Sequence, residues 1–118
     1  MKEGIVLFAH GSRDPQWAQP FEQIRARLHR AGFEVRVAYL ESMRPSLGEA
    51  IAALSAAGAR EIRIVPAFLG AGGHVREDLP RLVADAARAH PQLKLSLEKP
   101  IGEQPAVIDA IARAISGR

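Results

Sequence analysis

Two of the four histidines stand where their chemistry can be used. His10 lies in Ala9-His10-Gly11-Ser12-Arg13-Asp14-Pro15, directly after an apolar run, and His74 ends the glycine-rich stretch Gly70-Ala71-Gly72-Gly73. Neutral imidazole is the commonest metal ligand and a general base near pH 7. Gly11 beside one histidine and Gly72-Gly73 beside the other let a bulky ligand approach the backbone closely. The 118 residues contain no cysteine, so a thiolate metal site and a disulfide framework are both excluded. A metal must then be held by imidazole and carboxylate, and Glu41 is the nearest carboxylate in prospect. It can orient an imidazole, ligate a metal weakly or accept a proton. The plain alternatives stay open at this point: two loop histidines bonded to backbone, and a solvated carboxylate at a strand end.

Other residues point less sharply. Ser12, Arg13, Arg44 and Arg76 are expected in loops at the same end, where they can meet carboxylates or phosphates of a ligand. The glycine stretch before a helix can cradle phosphate on free N–H groups. It lacks the Lys-Ser/Thr of a P-loop and the spacing of a dinucleotide fingerprint. His29 and His90 fall near helix C-termini, where they suit the helix dipole, and carry no assigned role. Trp17 reads as helix packing.

The elements that must position these groups follow from periodicity. Residues 4–9 are a short apolar strand. Trp17, Phe21, Ile24 and Leu28 lie on one face of a helix over 16–31, ended by Gly32. Residues 33–40 alternate and predict a second strand. Ser46 and Glu49 form a capping box that opens a helix with Leu47, Ile51 and Leu54 as its buried stripe. Residues 61–68 are a third strand. The third helix runs to about Ala89, with Pro80 tolerable only in its first turn. Leu93, Leu95 and Leu97 predict strand four, and Ile108, Ile111 and Ile115 mark the last helix.

Strands alternating with helices imply a parallel sheet covered on both faces. Strands one and three are nearly continuously apolar and therefore central; strands two and four alternate and belong at the edges. The order 2-1-3-4 follows, a flavodoxin-like half sheet in one domain over residues 1–118. Ligands of such sheets bind beyond the carboxyl ends of the strands at the switch point, here between strands one and three. The loops beginning at His10 and Leu69 flank that crevice.

Bulk composition excludes several classes. Hydrophobic residues are 47% and charged residues 25%, as in an ordinary globular domain. The apolar stretch Ile5–Ala9 is too short for a signal peptide or a membrane span, so a cytoplasmic location and no membrane partner are expected. The net charge of +3 favours an anionic partner. Scattered arginines and few aromatics argue against nucleic acid.

The motifs around both histidines, with Leu40-Glu41, Pro45-Ser46-Leu47, Glu49-Ala50-Ile51, Val65-Pro66-Ala67-Phe68-Leu69, Gly72-Gly73-His74-Val75 and Asp78-Leu79-Pro80, resemble the short CbiX-type sirohydrochlorin chelatases, a class II chelatase family. The resemblance implies insertion of Co²⁺, or Fe²⁺ or Ni²⁺, into sirohydrochlorin, an anionic tetrapyrrole. The metal is then a substrate and no cofactor is permanently bound. The resemblance makes His10 and His74 the metal-handling pair, with Glu41 as a nearby catalytic carboxylate. The candidate substrate-binding residues are Gly11, Ser12, Arg13, Arg44, Ser46, Gly72, Gly73 and Val75. It also implies a symmetric homodimer around the cleft, because longer relatives hold two such domains in one chain. The competing readings are a non-catalytic carrier of metal or tetrapyrrole and a flavodoxin-like binder of a phosphorylated ligand.

Overall fold

The structure is a computed structural model that describes residues 2–70 and 72–117; Ala71, part of the expected glycine loop, lies outside the described residues. The chain runs β1 (Lys2–Ala9), a 3₁₀ turn (Pro15–Ala18), α1 (Gln19–Arg30), β2 (Glu34–Tyr39), α2 (Leu47–Ala56) and β3 (Ala59–Pro66). It continues through α3 (Gly73–Ala89), β4 (Lys94–Leu97), a second 3₁₀ turn (Ile101–Glu103) and α4 (Pro105–Ser116). The four strands form one parallel sheet of order β2-β1-β3-β4, the order that strand polarity implies.

Alternation along each strand divides the core in two. Val6, Phe8, Ile62 and Ile64 point to one face and pack under Leu47, Ile51 and Leu54 of α2 and Leu79 and Ala86 of α3. Ile5, Leu7, Val35, Val37, Tyr39 and Val65 point to the other and meet Trp17, Phe21 and Leu28. Each fully buried aliphatic or aromatic side chain contributes roughly 1.5–3 kcal/mol. Trp17 packs as expected, against Phe21 at a ring-centroid distance of 4.7 Å and against Tyr39 at 6.4 Å. Burial raises the pKa of the Tyr39 phenol, and the Glu22 charge adds to the effect.

Two local expectations are corrected, and the last helix, though found where expected, lies outside the core. The third helix begins at Gly73, so Pro80 is its eighth residue rather than a first-turn residue. The proline there removes the N–H that would bond the Arg76 carbonyl, and the apolar packing of Leu79 and Ala86 holds the helix regardless. The same early start puts His74 and Arg76 on the helix and not in a loop. Finally, Ile108, Ile111 and Ile115 do lie on α4, yet they are 52%, 39% and 82% exposed and no α4 residue belongs to either core cluster among the described residues.

Candidate functional site

The strands end level. In register, Ala9 pairs Tyr39 and Phe8 pairs Pro66, so the loops leaving β1, β2 and β3 start side by side. The β1–β2 ladder continues past the strands: Leu40 N–H donates to the Ala9 carbonyl at 2.9 Å and Glu41 N–H to the His10 carbonyl at 3.0 Å. After Glu41 the chain reverses tightly. Ser42 has φ 66, and Met43 N–H donates back to the Glu41 carbonyl at 2.8 Å. A non-glycine residue at positive φ carries strain of order 1–3 kcal/mol, which the surrounding bonds must hold.

Gly11 makes the approach of the two loops sterically feasible. Its φ is 102, and a Cβ at this position would lie 1.8 Å from the Glu41 carbonyl oxygen. With the backbones this close, His10 Nε2 and Glu41 Oε1 meet at 2.9 Å, while the two side chains remain 48% and 61% exposed. Between an ionised carboxylate and a neutral ring, this bond puts the proton on Nε2 and leaves the lone pair on Nδ1. The imidazole–carboxylate pair is thus oriented, wet and accessible.

The β3 loop forms the facing wall. Ala67 N–H donates to the Phe8 carbonyl at 2.8 Å, and the Phe68 ring meets His10 edge-on, with centroids 6.4 Å apart and planes at 68°. A cavity of about 210 Å³ opens there, lined by His10, Phe68, Gly70, Gly72 and Val75. His74 is the second residue of α3, exposed, and not part of that lining, although its neighbours Gly72 and Val75 are. Among the described residues no three His, Asp or Glu side chains converge as a ready metal cage. His10 and Glu41 are brought together; His74 sits at the start of α3, between the lining residues Gly72 and Val75 in sequence.

The remaining candidates divide. Ser12 Oγ accepts from Asp14 N–H at 3.1 Å, and Asp14 in turn caps the first 3₁₀ turn. Arg13 is exposed, as are Gly72 and Gly73, around whose α-carbons a Cβ would meet nothing within 4 Å. Ser46 caps α2: its Oγ accepts from Glu49 N–H, and Glu49 Oε1 accepts from Ser46 N–H at 2.9 Å, the capping box expected. Arg44 is held by Glu49 through both Nε and Nη2. Those bonds, with the one from the Ser46 backbone, hold the Glu49 carboxyl down at about 2, and the bond to Glu49 raises the pKa of Arg44. Sequence reasoning missed the Arg44–Glu49 pair, which joins residues five apart across a turn, and gave Phe68 no role. An aromatic side chain just beyond a central strand was the available signal.

Known proteins share this chain's sequence and fold. The CbiX family model matches residues 4–117. A sirohydrochlorin cobaltochelatase of Methanosarcina barkeri is 38% identical over 86 residues, 70% of this chain and 65% of that protein. One from Saccharolobus islandicus is 36% identical over 80 residues, 68% and 62% of the respective chains. The match therefore spans a little under two-thirds of these relatives' length. Among solved structures, a protein from Marinobacter aquaeolei described as a cobalamin (vitamin B12) biosynthesis CbiX protein superposes with TM-score 0.87 at 30% identity, covering 98% of this chain and 95% of that one. The sirohydrochlorin chelatase SirB of Bacillus subtilis subspecies spizizenii, in complex with cobalt, gives TM-score 0.79 at 28% identity, covering 99% of this chain and 51% of that one. The sheet order, the histidine loops at its carboxyl end and a family match over nearly every residue lead to one assignment: this chain belongs to the CbiX family.

Proposed function

We propose that the chain is a sirohydrochlorin metal chelatase that inserts a divalent metal, Co²⁺ foremost and Fe²⁺ or Ni²⁺ as alternatives, into the tetrapyrrole. The observation that carries this reading is the His10–Glu41 pair, 2.9 Å apart, whose imidazole lines a cavity at the carboxyl ends of the central strands. Imidazole with carboxylate suits a borderline divalent cation better than an alkaline-earth ion, which prefers all-oxygen sites. Relatives named sirohydrochlorin cobaltochelatase, and the cobalt complex of the Bacillus protein, support the substrate class.

Insertion needs two operations. The metal must be presented to the macrocycle face, and two pyrrole N–H protons must leave. His10 and His74 present the metal at the mouth. As the metal passes to the macrocycle, the freed His10 Nδ1 accepts one pyrrole proton, with Glu41 on Nε2 stabilising the imidazolium, and the freed His74 ring accepts the second; both rings then release their protons to solvent. Gly11, Gly72, Gly73 and Val75 keep the walls low enough for a flat ring. Ser12, Arg13 and Ser46 hydrogen-bond or pair with its peripheral carboxylates, and Arg44 offers the guanidinium edge left free by Glu49. The metal is substrate, and no permanent cofactor is required.

Residues 1–118 act as one chelatase domain, cytoplasmic, and paired as a symmetric homodimer that completes the cleft. None of its described helices is long and apolar enough to cross a membrane. An anaerobic insertion assay with sirohydrochlorin and each of Co²⁺, Fe²⁺ and Ni²⁺ tests the proposal. Turnover beyond one metal per site is expected, and His10→Ala and His74→Ala should each lose most of it while keeping the fold. Wild-type rates in both variants would sink the assignment, and a single stoichiometric transfer would identify a carrier instead.

A further inference from the structure

The turn between β4 and α4 lies outside the site just described, yet it touches the loop that leads to His74. Gly102 is the middle residue of the 3₁₀ turn Ile101–Glu103. Its N–H donates to the Phe68 carbonyl at 2.9 Å. A Cβ on Gly102 would lie 2.3 Å from the Leu69 α-carbon, 2.3 Å from its carbonyl oxygen and 2.6 Å from its carbonyl carbon. All three are backbone atoms, so no change of rotamer relieves the overlap. Gly48, Gly72 and Gly73, by contrast, have nothing within 4 Å of such an atom. The demand at position 102 is for space and not for an unusual φ.

The turn is itself anchored, since Ile101 packs against the core cluster of Ile5, Leu7 and Val65. On its other side, the residue it bonds, Phe68, meets the His10 ring edge-on and lines the same cavity as Gly70, Gly72 and Val75. A short mechanical line therefore runs from the sheet through Ile101 and Gly102 to the Phe68–Leu69 backbone, and from there to both histidine flanks.

We infer that Gly102 is a positioning residue for the metal-handling site: its missing side chain lets the β4–α4 turn clamp the Phe68–Leu69 backbone at the height where Phe68 meets His10 and the chain enters α3. The clamp is independent of what the positioned groups do; only its consequence for metal handling rests on the function proposed above.

The test has two readouts. In the metal-free protein, Gly102→Ala should speed exchange of the two amides that tie this segment, that of residue 102 to the Phe68 carbonyl and that of Ala67 to the Phe8 carbonyl, by at least about tenfold, in keeping with local opening of a clamped segment. It should also remove the nuclear Overhauser contacts between the His10 and Phe68 rings. In the second readout, Co²⁺ affinity should fall by roughly 10-fold or more, the scale at which supporting partners of a metal ligand act. The visible Co²⁺ spectrum should change with it, at temperatures where the variant is fully folded. Gly48→Ala, in open space on α2, should leave both readouts at the wild-type level. If Gly102→Ala does not fold, Ile101→Ala releases the anchor without adding an atom and should accelerate the same amides. Unchanged exchange and unchanged Co²⁺ affinity in a folded Gly102→Ala, or unchanged exchange in Ile101→Ala, overturns the clamp. Absence of Co²⁺ binding in the wild type would remove the chelatase reading instead, and the metal-free exchange would still decide the role of Gly102.

Discussion

At the mouth of the sheet one imidazole, that of His10, is oriented by a carboxylate. His10 and Glu41 are both largely exposed, so their hydrogen bond adds little stability: even exposed charged pairs are worth about 0–1 kcal/mol. What the pair supplies is direction. The carboxylate fixes the ring and selects which nitrogen keeps its lone pair. Glu41→Gln retains an oxygen that can accept the His10 N–H and removes the negative charge. Its melting temperature should stay within about 2 °C of the wild type, because exposed substitutions of this kind move stability by about 0.5 kcal/mol or less. Metal insertion should fall by roughly 10- to 100-fold, the usual loss when a ligand's carboxylate partner is removed. An insertion rate in Glu41→Gln equal to that of the wild type would reduce Glu41 to a bystander.

Among the elements, the start of α2 is the most heavily secured. Ser46 and Glu49 satisfy each other's free backbone N–H, and Arg44 binds the Glu49 carboxylate with two nitrogens. The Glu49 carboxyl is held well below its ordinary value of 4.5, at about 2. A carboxyl with a depressed folded-state pKa adds stability above its unfolded value and loses it as pH falls through the folded one. The contribution of Glu49 is therefore complete above about pH 5 and disappears between about 4.5 and 2. Glu49→Gln should start less stable at pH 7 and lose less on acidification through that window, as denaturant titrations at pH 7, 4 and 2.5 would show. Equal acid sensitivity in the two proteins would mean that the pair does not form in solution. At the start of α3 the cap is Gly72, with no side-chain bond to the free N–H groups, so that end of the mouth is held from outside by the Gly102 turn.

For the molecule as a whole, α4 is the unusual element. Its apolar stripe, Ile108, Ile111 and Ile115, faces solvent, and a neighbouring apolar groove of about 320 Å³ opens among Ile5, Leu7, Ile24, Leu28, Val65 and Ile101. The solved Bacillus chelatase chain is about twice as long as the part this chain matches. The homodimer proposed above would set a second copy there, since a two-fold pairing lets one stripe and one groove serve each partner. Ile111→Asp places a charge on the stripe and should raise the dimer dissociation constant more than tenfold with no loss of fold, measured by sedimentation velocity. A wild-type protein that sediments as a monomer at micromolar concentration would remove the dimer from the proposal. An unperturbed dimer in Ile111→Asp would move the interface off α4.

Much of this was written in local patterns. The apolar run of residues 4–9 and the nearly continuous apolar character of 61–68, broken only by Glu61 and Arg63, against the alternation of 33–40 determined which strands are central, because a strand buried on both faces tolerates few polar residues. That ordering was enough to bring the loops after β1 and β3 to one mouth. The capping box was equally legible, as its two partners are three residues apart. The tertiary structure alone decided the rest. It set His74 on a helix and apart from the His10–Glu41 pair, since a glycine-rich run does not say where the first helical turn begins. It turned the isoleucines of α4 outward, because helical periodicity identifies an apolar face and not what covers it. It also gave Gly11 and Gly102 their roles, which come from backbone atoms 30 or more residues away in sequence and so leave no trace in local spacing. The loops after β1 and β3 were readable because each follows a central strand directly; the clamp on the second was not, because it depends on which distant backbones touch.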